Sequence, residues 1–420
     1  MKRIASFAAV LCFALLPAAL VSAAPKNYKV IYKADAEPEE GSQVAGYLVS
    51  LLGCGYAVAD NAAADGSGRS IEIVNSGNMS LWEYEVRSSR GRLIIDGGGN
   101  WAMRKACERL AAILNGSRVA AGLAFSGSVE GEVLFDRAEG SDLRILDDNI
   151  WDYSKDTIPP VWQRLGVDCR DAARAPQYAQ LVRAYMPDVL TLQEYSSHMD
   201  AEFLPLIEKW GYVHTTTGSD GNWNNTPILY NRENVEPVES EFVLFTPMKW
   251  SNHGSKSFTS AVFRRIADGK LFAVINTHLW WKSEKAQPGS IQARAAQVRL
   301  IIAQAQCIKA KYGCPVFVVG DMNSEEDTVP IRQFFDAGFV PCYKAATVYA
   351  ELGNGHHICA PGDGFSRTSR RKGADRATGA IDHCFIWNAG NTEIKVFDCI
   401  TSSFTVPLTD HYPNLIDARL

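Results

Sequence analysis

The sequence predicts an α/β protein: two packed sheets covered by helices, preceded by a smaller α/β or α+β unit. Three features predict it. From Leu143 onward, apolar runs of strand length recur eight times, with two long helical patterns among them. Before Gly122, strand and helix patterns alternate within a stretch short enough for one small unit. A Gly- and Ser-containing passage, Gly122 to Gly140, separates the two regions.

The first segment stands outside this fold. Lys2 and Arg3 precede an apolar stretch from Ile4 to Val21, and Val21-Ser22-Ala23 offers small residues for cleavage. Residues 1–23 therefore read as a secretory signal peptide, with a periplasmic or extracellular destination expected. No later stretch is long and apolar enough to span a bilayer. The 420 residues are 46% hydrophobic and 21% charged, with a net charge of −5. Loss of Lys2 and Arg3 deepens that acidity, so there is no general pull towards nucleic acid, although a local basic groove is compatible with it. Of the ten cysteines, none lies in a CxxC or CxxH metal spacing. An oxidising compartment allows some to pair, and all are expected to be structural or inert.

In the small unit, Tyr28 to Tyr32 reads as a strand and Glu39 to Leu52 as an amphipathic helix closed by Gly53. Ser70 to Val74, Tyr84 to Arg87 and Leu93 to Ile95 read as strands, and Trp101 to Leu114 as a helix stopped by Asn115-Gly116. Asp96-Gly97-Gly98-Gly99-Asn100 joins a strand to a helix. It matches neither phosphate-loop fingerprint, and Asp96 opposes an anion, so a tight turn is expected. This unit is assigned residues 24–125, followed by a linker over 126–142 and a larger region over 143–420.

In the larger region the strand-like runs are Leu143 to Leu146, Val189 to Leu192, Thr226 to Tyr230, Phe258 to Phe263, Phe272 to Ile275, Val316 to Val319, Ile381 to Ile386 and Ile394 to Phe397. Gln177 to Tyr185 and Gln292 to Lys311 read as helices, stopped by Pro187 and by Gly313-Cys314-Pro315. There is no internal repeat and no low-complexity tract.

Polar residues recur at the ends of these runs. Asn149 follows the first, Glu194 the second, Asn276 and His278 the fifth, and Asp321 and Asn323 the sixth; Asp382 opens the seventh, and Asp410-His411 precedes Tyr412-Pro413. Asp321 and Asn323 sit two apart, and in an extended segment two such side chains project to one side. A plain turn is the competing reading, because Asp and Asn favour turns. If the strands are neighbours, all these ends meet in one cleft.

Such a cleft suits phosphoester hydrolysis. Glu194 and Asp410 are hard oxygen ligands of the type Mg²⁺ takes, and Asn149 can complete that shell or hold a phosphate oxygen. His278 and His411 are of the right type to donate hydrogen bonds to a phosphate, and one of them can move a proton near neutral pH. Asp382 can orient an imidazole and stabilise its cation. Taken singly, each has a plainer reading as a surface acid, a satisfied strand-end histidine or a polar turn.

As an ordered set, Arg144-Ile-Leu-Asp-Asp-Asn149, Leu192-Gln-Glu194, Asn276-Thr-His-Leu279, Gly320-Asp-Met-Asn323, Ile381-Asp382 and Thr409-Asp-His-Tyr-Pro413 resemble the endonuclease/exonuclease/phosphatase superfamily, which includes deoxyribonucleases, abasic-site endonucleases and neutral sphingomyelinases. The resemblance covers 143–420. It implies a four-layer α/β sandwich and a metal-dependent phosphoesterase using Mg²⁺, or Mn²⁺ or Ca²⁺. It casts Asn149, Glu194 and Asp410 as metal residues. His278, Asp321, Asn323, Asp382 and His411 become catalytic residues, with the water-activating step open between Asp321 and His411. His278 matches the deoxyribonuclease and sphingomyelinase branch. Asp152 is out of register as a second acid beside Asn149, and His383 stands where an aromatic is common. The small unit is similar, in strand–helix order, to the accessory domain ahead of some bacterial glycoside hydrolase domains.

The substrate is expected to be a phosphate ester, with nucleic acid, phospholipid and small phosphoesters all open. Trp280, Trp281 and Trp223 could stack a base or sugar or enter lipid headgroups, and Ser366 to Arg376 carries five cations that could meet extra phosphates. The alternative from another class is a catalytically inactive hydrolase fold that serves as a secreted carbohydrate- or surface-binding module.

Overall fold

The computed structural model describes residues 28–32, 38–53, 55–60, 69–74, 76–80, 82–89, 92–116, 122–152, 168–219, 221–245, 256–349, 380–388, 390–400 and 408–420. The segment read as a signal peptide and the basic run Ser366 to Arg376 lie outside the described residues.

The first sheet is built from β1 (Tyr28–Tyr32), β2 (Tyr56–Ala59), β3 (Arg69–Val74), β4 (Glu83–Ser89), β5 (Arg92–Gly97) and β6 (Ala124–Ser128), in the order β2-β1-β3-β5-β4-β6. Helices α1 (Pro38–Leu52) and α2 (Asn100–Gly116) accompany it. β2 and β6 have no counterpart in the sequence reading, and β6 runs into the stretch read as a linker. The glycine loop after β5 is a packed turn. A Cβ on Gly98 would lie 1.9 Å from the Ser80 carbonyl oxygen, and Asp96 Oδ1 accepts the Ser76 N–H at 3.1 Å.

Two further sheets face each other. One has seven strands: β7 (Leu143–Asn149), β8 (Val189–Gln193), β9 (Tyr212–His214), β12 (Ile228–Asn231), β18 (Val348–Tyr349), β20 (Glu393–Cys399) and β21 (Asn414–Arg419). The other has six: β13 (Val235–Leu244), β14 (Ser257–Arg265), β15 (Leu271–His278), β16 (Val316–Asp321), β17 (Val340–Pro341) and β19 (Asp382–Trp387). A two-stranded ribbon, β10 (Gly218–Ser219) with β11 (Asn222–Trp223), lies between β9 and β12 in the chain.

Strand alternation builds the layers. Phe317 and Val319 of β16 join Ile145 and Ile416 of the facing sheet in one core. Val316 and Val318, pointing the other way, join Val298, Ile301 and Ala305 of α5 (Ser290–Tyr312) and Phe334 of α6 (Val329–Asp336). On the opposite flank, Leu146 and Leu192 pack with Tyr178 and Val182 of α3 (Asp171–Tyr185), beside α4 (Ser197–Glu208). Helices, sheet, sheet, helices: these are the four layers the resemblance implies. Strands buried on both faces read as continuous apolar runs, which is why they were legible.

α3 is buried on both sides. Its inner face meets β7, while Tyr185 at its end meets Phe135 in a stack with centroids 4.4 Å apart and Trp101 of α2 edge-on at 6.0 Å. Gln180 donates to the Val129 carbonyl at 3.1 Å and accepts from the Gly131 N–H at 2.7 Å. Arg144, buried in β7, pairs with Asp417 at 2.6 Å and donates to the carbonyls of Phe135 and Tyr185, both at 2.7 Å. The first sheet's hydrophobic core is thus continuous with the outer layer of the larger fold.

Candidate active site

The second sheet sets up one row of the site by register alone. Ser257 pairs with His278, His278 with Asp321, and Asp321 with Asp382. Paired residues on adjacent strands lie about 5 Å apart, so these groups come together without any loop rearrangement. β7 and β8 deliver the facing half, since Asn149 pairs with Gln193 and Glu194 follows directly. A tie between the sheets holds the halves in place. Gln193 Nε2 donates to Asp147 Oδ1 at 2.8 Å and to Asn276 Oδ1 at 2.7 Å, and Asn276 Nδ2 donates to the carbonyls of Leu192 and Pro227. Asn276, one of the polar strand ends read from sequence, is a structural strut.

Asp321 Oδ2 is the centre of the arrangement. Asn149 Nδ2 donates to it at 3.0 Å, His278 Nε2 lies 3.4 Å away and His411 Nε2 3.9 Å away. Glu194 Oε1 accepts from Asn149 Nδ2 at 3.3 Å and stands 3.8 Å from His278 Nε2, while its Oε2 accepts the Asp152 N–H at 3.0 Å. His411 Nδ1 lies 2.9 Å from Asp382 Oδ2, and His411 Nε2 lies 3.7 Å from Asp410 Oδ1. All eight residues read from sequence therefore fall in or beside one cluster, although Asn323 departs from the extended geometry expected of it.

Asn323 does not continue the strand. Its φ of 47° is left-handed, its N–H donates to Asp321 Oδ1 at 2.8 Å and its Nδ2 to the Leu279 carbonyl at 3.2 Å. The expectation that it and Asp321 project together from an extended segment is corrected: the chain turns, and Asn323 holds Asp321 from below. Asn149 points its amide nitrogen at the two carboxylates, while its Oδ1 accepts the Trp151 N–H at 3.0 Å. In this arrangement its amide nitrogen tethers both carboxylates. His383 Nε2 meets the Ser324 carbonyl at 2.7 Å, beneath the site.

Backbone strain gathers here. Glu194 has φ 56° and Trp151 φ 55°, left-handed values that cost a non-glycine residue roughly 1–2 kcal/mol. Gly320, at φ 128°, has no such cost, and any Cβ there would lie 2.1 Å from the Thr277 carbonyl oxygen.

Burial and mutual repulsion shift the carboxyl groups. Burial, reinforced by the Asp382 charge, pushes Asp321 up to about 7. Burial likewise raises Asp147 to about 7 and, with Glu194 nearby, Asp410 to about 6. Burial works against the His411 cation, yet the carboxylates of Asp382, Asp410 and Asp321 prevail and hold it well above the ordinary histidine range.

Among the described residues, two sets of side chains bring ligand atoms within 4.8 Å of one another: Glu194, His278 and Asp321, and Asp321, Asp382 and His411. Asp410 joins neither, but its Oδ1 is buried without a hydrogen-bond partner among the described residues. Asp410 Oδ1 lies 3.7 Å from His411 Nε2, a member of the second set. That combination fits a divalent cation: oxygen donors, excess negative charge and an unmet acceptor.

Residues 168–405, more than half of the chain, match the model of the Endonuclease/Exonuclease/phosphatase family. The chain belongs to this family. It is also similar to human Nocturnin, at 26% identity over 163 residues, which is 36% of each chain. The match thus spans about a third of the length of these curated relatives. Among solved structures, an endonuclease/exonuclease/phosphatase family protein of Bacteroides thetaiotaomicron superposes with a TM-score of 0.50 at 18% identity, over 66% of this chain and 97% of that one. A mannosyl-6-phosphatase of the same organism gives 0.50 and 18%, over 66% and 100%. These likenesses identify the fold.

Sequence reasoning passed over three contributors to this family site. Arg174 of α3 is buried, and its guanidinium donates to the carbonyls of Ile150 at 2.7 Å, Trp151 at 2.9 Å and Leu408 at 2.8 Å. It clamps the two loops that carry Asn149 and Asp410. Thr409 Oγ donates to the Asn149 carbonyl, closing the same seam. Lys256 reaches His278 from the start of β14. An arginine ahead of the expected helix and a lysine ahead of a strand carry no pattern that marks them.

The aromatic rim is mixed. Trp280 is core: its Nε1 donates to Ser290 Oγ at 3.1 Å. Trp281 is 55% exposed, with Lys282 Nζ 5.3 Å from its centroid. Trp223, partly buried, donates to the Tyr195 carbonyl at 2.9 Å, next to Glu194. Of the three, Trp223 is the one tied to the strand end that carries Glu194.

Proposed function

We propose that this protein is an exported, divalent-metal-dependent phosphoesterase that hydrolyses its substrate by attack of an activated water. The observation that carries the reading is the run of close contacts from Glu194 through His278, Asp321 and His411 to Asp410, whose Oδ1 has no hydrogen-bond partner among the described residues. Export rests on the leader pattern in residues 1–23.

Glu194 and Asp410 hold the metal, Mg²⁺ or Mn²⁺, with Asn149 fixing the Glu194 carboxylate. When bound, the ion supplies charge neutralisation and polarises a phosphate oxygen. The protein's own groups divide the remaining work. His411, kept cationic by Asp382, donates from Nε2 to the phosphate as negative charge builds. Asp321, raised to about 7 by burial first and by Asp382 second, is poised to take a proton from water near neutral pH. A histidine held protonated is a poor base, so the water-activating role goes to Asp321. Asn323 anchors Oδ1 of Asp321 and leaves Oδ2 facing the cleft.

An inactive binding module has little use for this cluster. Keeping several carboxyl groups buried and mutually repelling destabilises the fold, a feature typical of catalytic sites. The decisive assay is turnover of bis-p-nitrophenyl phosphate with Mg²⁺ or Mn²⁺, lost with EDTA and in Glu194→Ala. A folded, metal-loaded protein without turnover would favour the binding module. A panel of duplex DNA, RNA, sphingomyelin and sugar or inositol phosphates then assigns the substrate class.

A further inference from the structure

Lys256 is 4% exposed, and its ammonium contacts Nε2 of His278. That same nitrogen lies 3.4 Å from Asp321 Oδ2 and 3.8 Å from Glu194 Oε1. A lysine with its charge taken out of water is costly unless partners compensate it, and such lysines are rare in the absence of a task. The backbone around it is fixed. The Lys256 carbonyl accepts the Phe245 N–H at 3.1 Å, and the next residue, Ser257, pairs with His278 across the sheet. The ammonium is thereby held against His278 at the end of the strand.

The donors decide what this contact means. An ammonium has three N–H donors and no acceptor, so in the contact with His278 the imidazole Nε2 accepts. An imidazole that accepts from lysine at Nε2 cannot donate to a phosphate from the same atom. The donor role expected of His278 therefore passes to the residue it holds. A positive ammonium against Nε2 also disfavours His278 as a ligand to a divalent cation, which leaves Glu194 and Asp321 as the oxygen donors of that set.

We propose that Lys256 is a substrate-binding residue that places a positive charge on a non-bridging phosphate oxygen beside His278 and Asp321, and that His278 is its positioning residue. Lysine is well suited to phosphate as a point charge. The phosphate is then gripped from three directions: the ion beside Glu194 and Asp410, the His411 imidazolium, and Lys256. This inference rests on the phosphoesterase reading above.

The test compares wild type, Lys256→Met and Lys256→Arg, with circular dichroism confirming that each folds. Lys256→Met is expected to lower kcat/KM by about 10²-fold or more, the loss typical of one electrostatic donor, and Lys256→Arg to recover about tenfold of it. The readout that a merely structural residue would not move is competitive inhibition by inorganic phosphate. Its inhibition constant should rise at least tenfold in Lys256→Met while the Mg²⁺ concentration for half-maximal rate stays unchanged. An unchanged phosphate constant, or tighter Mg²⁺ with the same phosphate constant, would overturn the proposal and leave Lys256 as a mere filler of the cation position. If wild type shows no turnover, the phosphoesterase reading fails separately, and the phosphate-induced rise in Tm, expected in wild type and absent in Lys256→Met, tests Lys256 by itself.

Discussion

Asn149 Nδ2 and Asp321 Oδ2 lie 3.0 Å apart, although 172 residues separate them in the chain. Each ends a central strand of a different sheet, so this one hydrogen bond joins the two halves of the sandwich at its functional end. The neighbours of Asp321 Oδ2 then give the site its chemistry.

Asp321→Ala and His411→Ala should each lower kcat by at least about 10²-fold, the lower range for an acid–base or electrostatic group. Steady-state kinetics on a metal-saturated sample checks this. Near-normal rates in both would remove these residues from the mechanism.

Asp382→Asn should also cost about 10²-fold or more in kcat, because His411 loses the carboxylate that supports its cation. The pH profile separates this from a folding defect. Activity that needs protonated His411 falls at high pH, and that alkaline limb should move to lower pH in the variant. A profile of unchanged shape would show that Asp382 does not act through His411.

Arg174→Met removes donors from three buried carbonyls that belong to the Asn149 and Asp410 loops. Leaving them unsatisfied should cost on the order of 3 kcal/mol of stability by urea unfolding. Weaker metal activation is expected as well, since both loops supply the ion's surroundings. Unchanged stability and unchanged metal dependence would show that the clamp is idle.

The metal-free protein should be more stable near pH 5 than near pH 8. Asp147 and Asp321 at about 7 and Asp410 at about 6 lie above the unfolded carboxyl value near 4. Between these limits the folded chain holds protons that the unfolded chain has lost, so stability falls as pH rises. His411, raised above the histidine norm, adds stability at low pH that is lost as pH climbs through its folded value, which is the same direction. Thermal unfolding in EDTA across this range checks the sign, and adding Mn²⁺ at pH 8 should restore Tm.

Strands buried on both faces were legible where their apolar runs are short and unbroken, as in Val316 to Val319, whereas β21, equally buried, is interrupted by Asp417 and was missed. β13 escaped notice because it is mostly exposed, with Glu236, Pro237, Glu239 and Glu241 interrupting any alternation. α4 carries Pro205 inside it, which reads as a helix stop. α3 was seen only from Gln177, because burial on both sides erases the amphipathic period and Pro176 lies within it. Site residues at strand ends were legible as isolated polar residues after apolar runs. Arg174 and Lys256 were not, since their roles depend on what they reach across space, and no local pattern encodes that reach.

The most direct test is a calorimetric titration of Mn²⁺ into EDTA-stripped protein, with Glu194→Ala and Asp410→Asn alongside. One binding event in wild type, at least about tenfold weaker in either variant, is the predicted result. Absence of binding in folded wild-type protein, or binding that neither substitution weakens, would contradict the metal site on which the proposed chemistry stands.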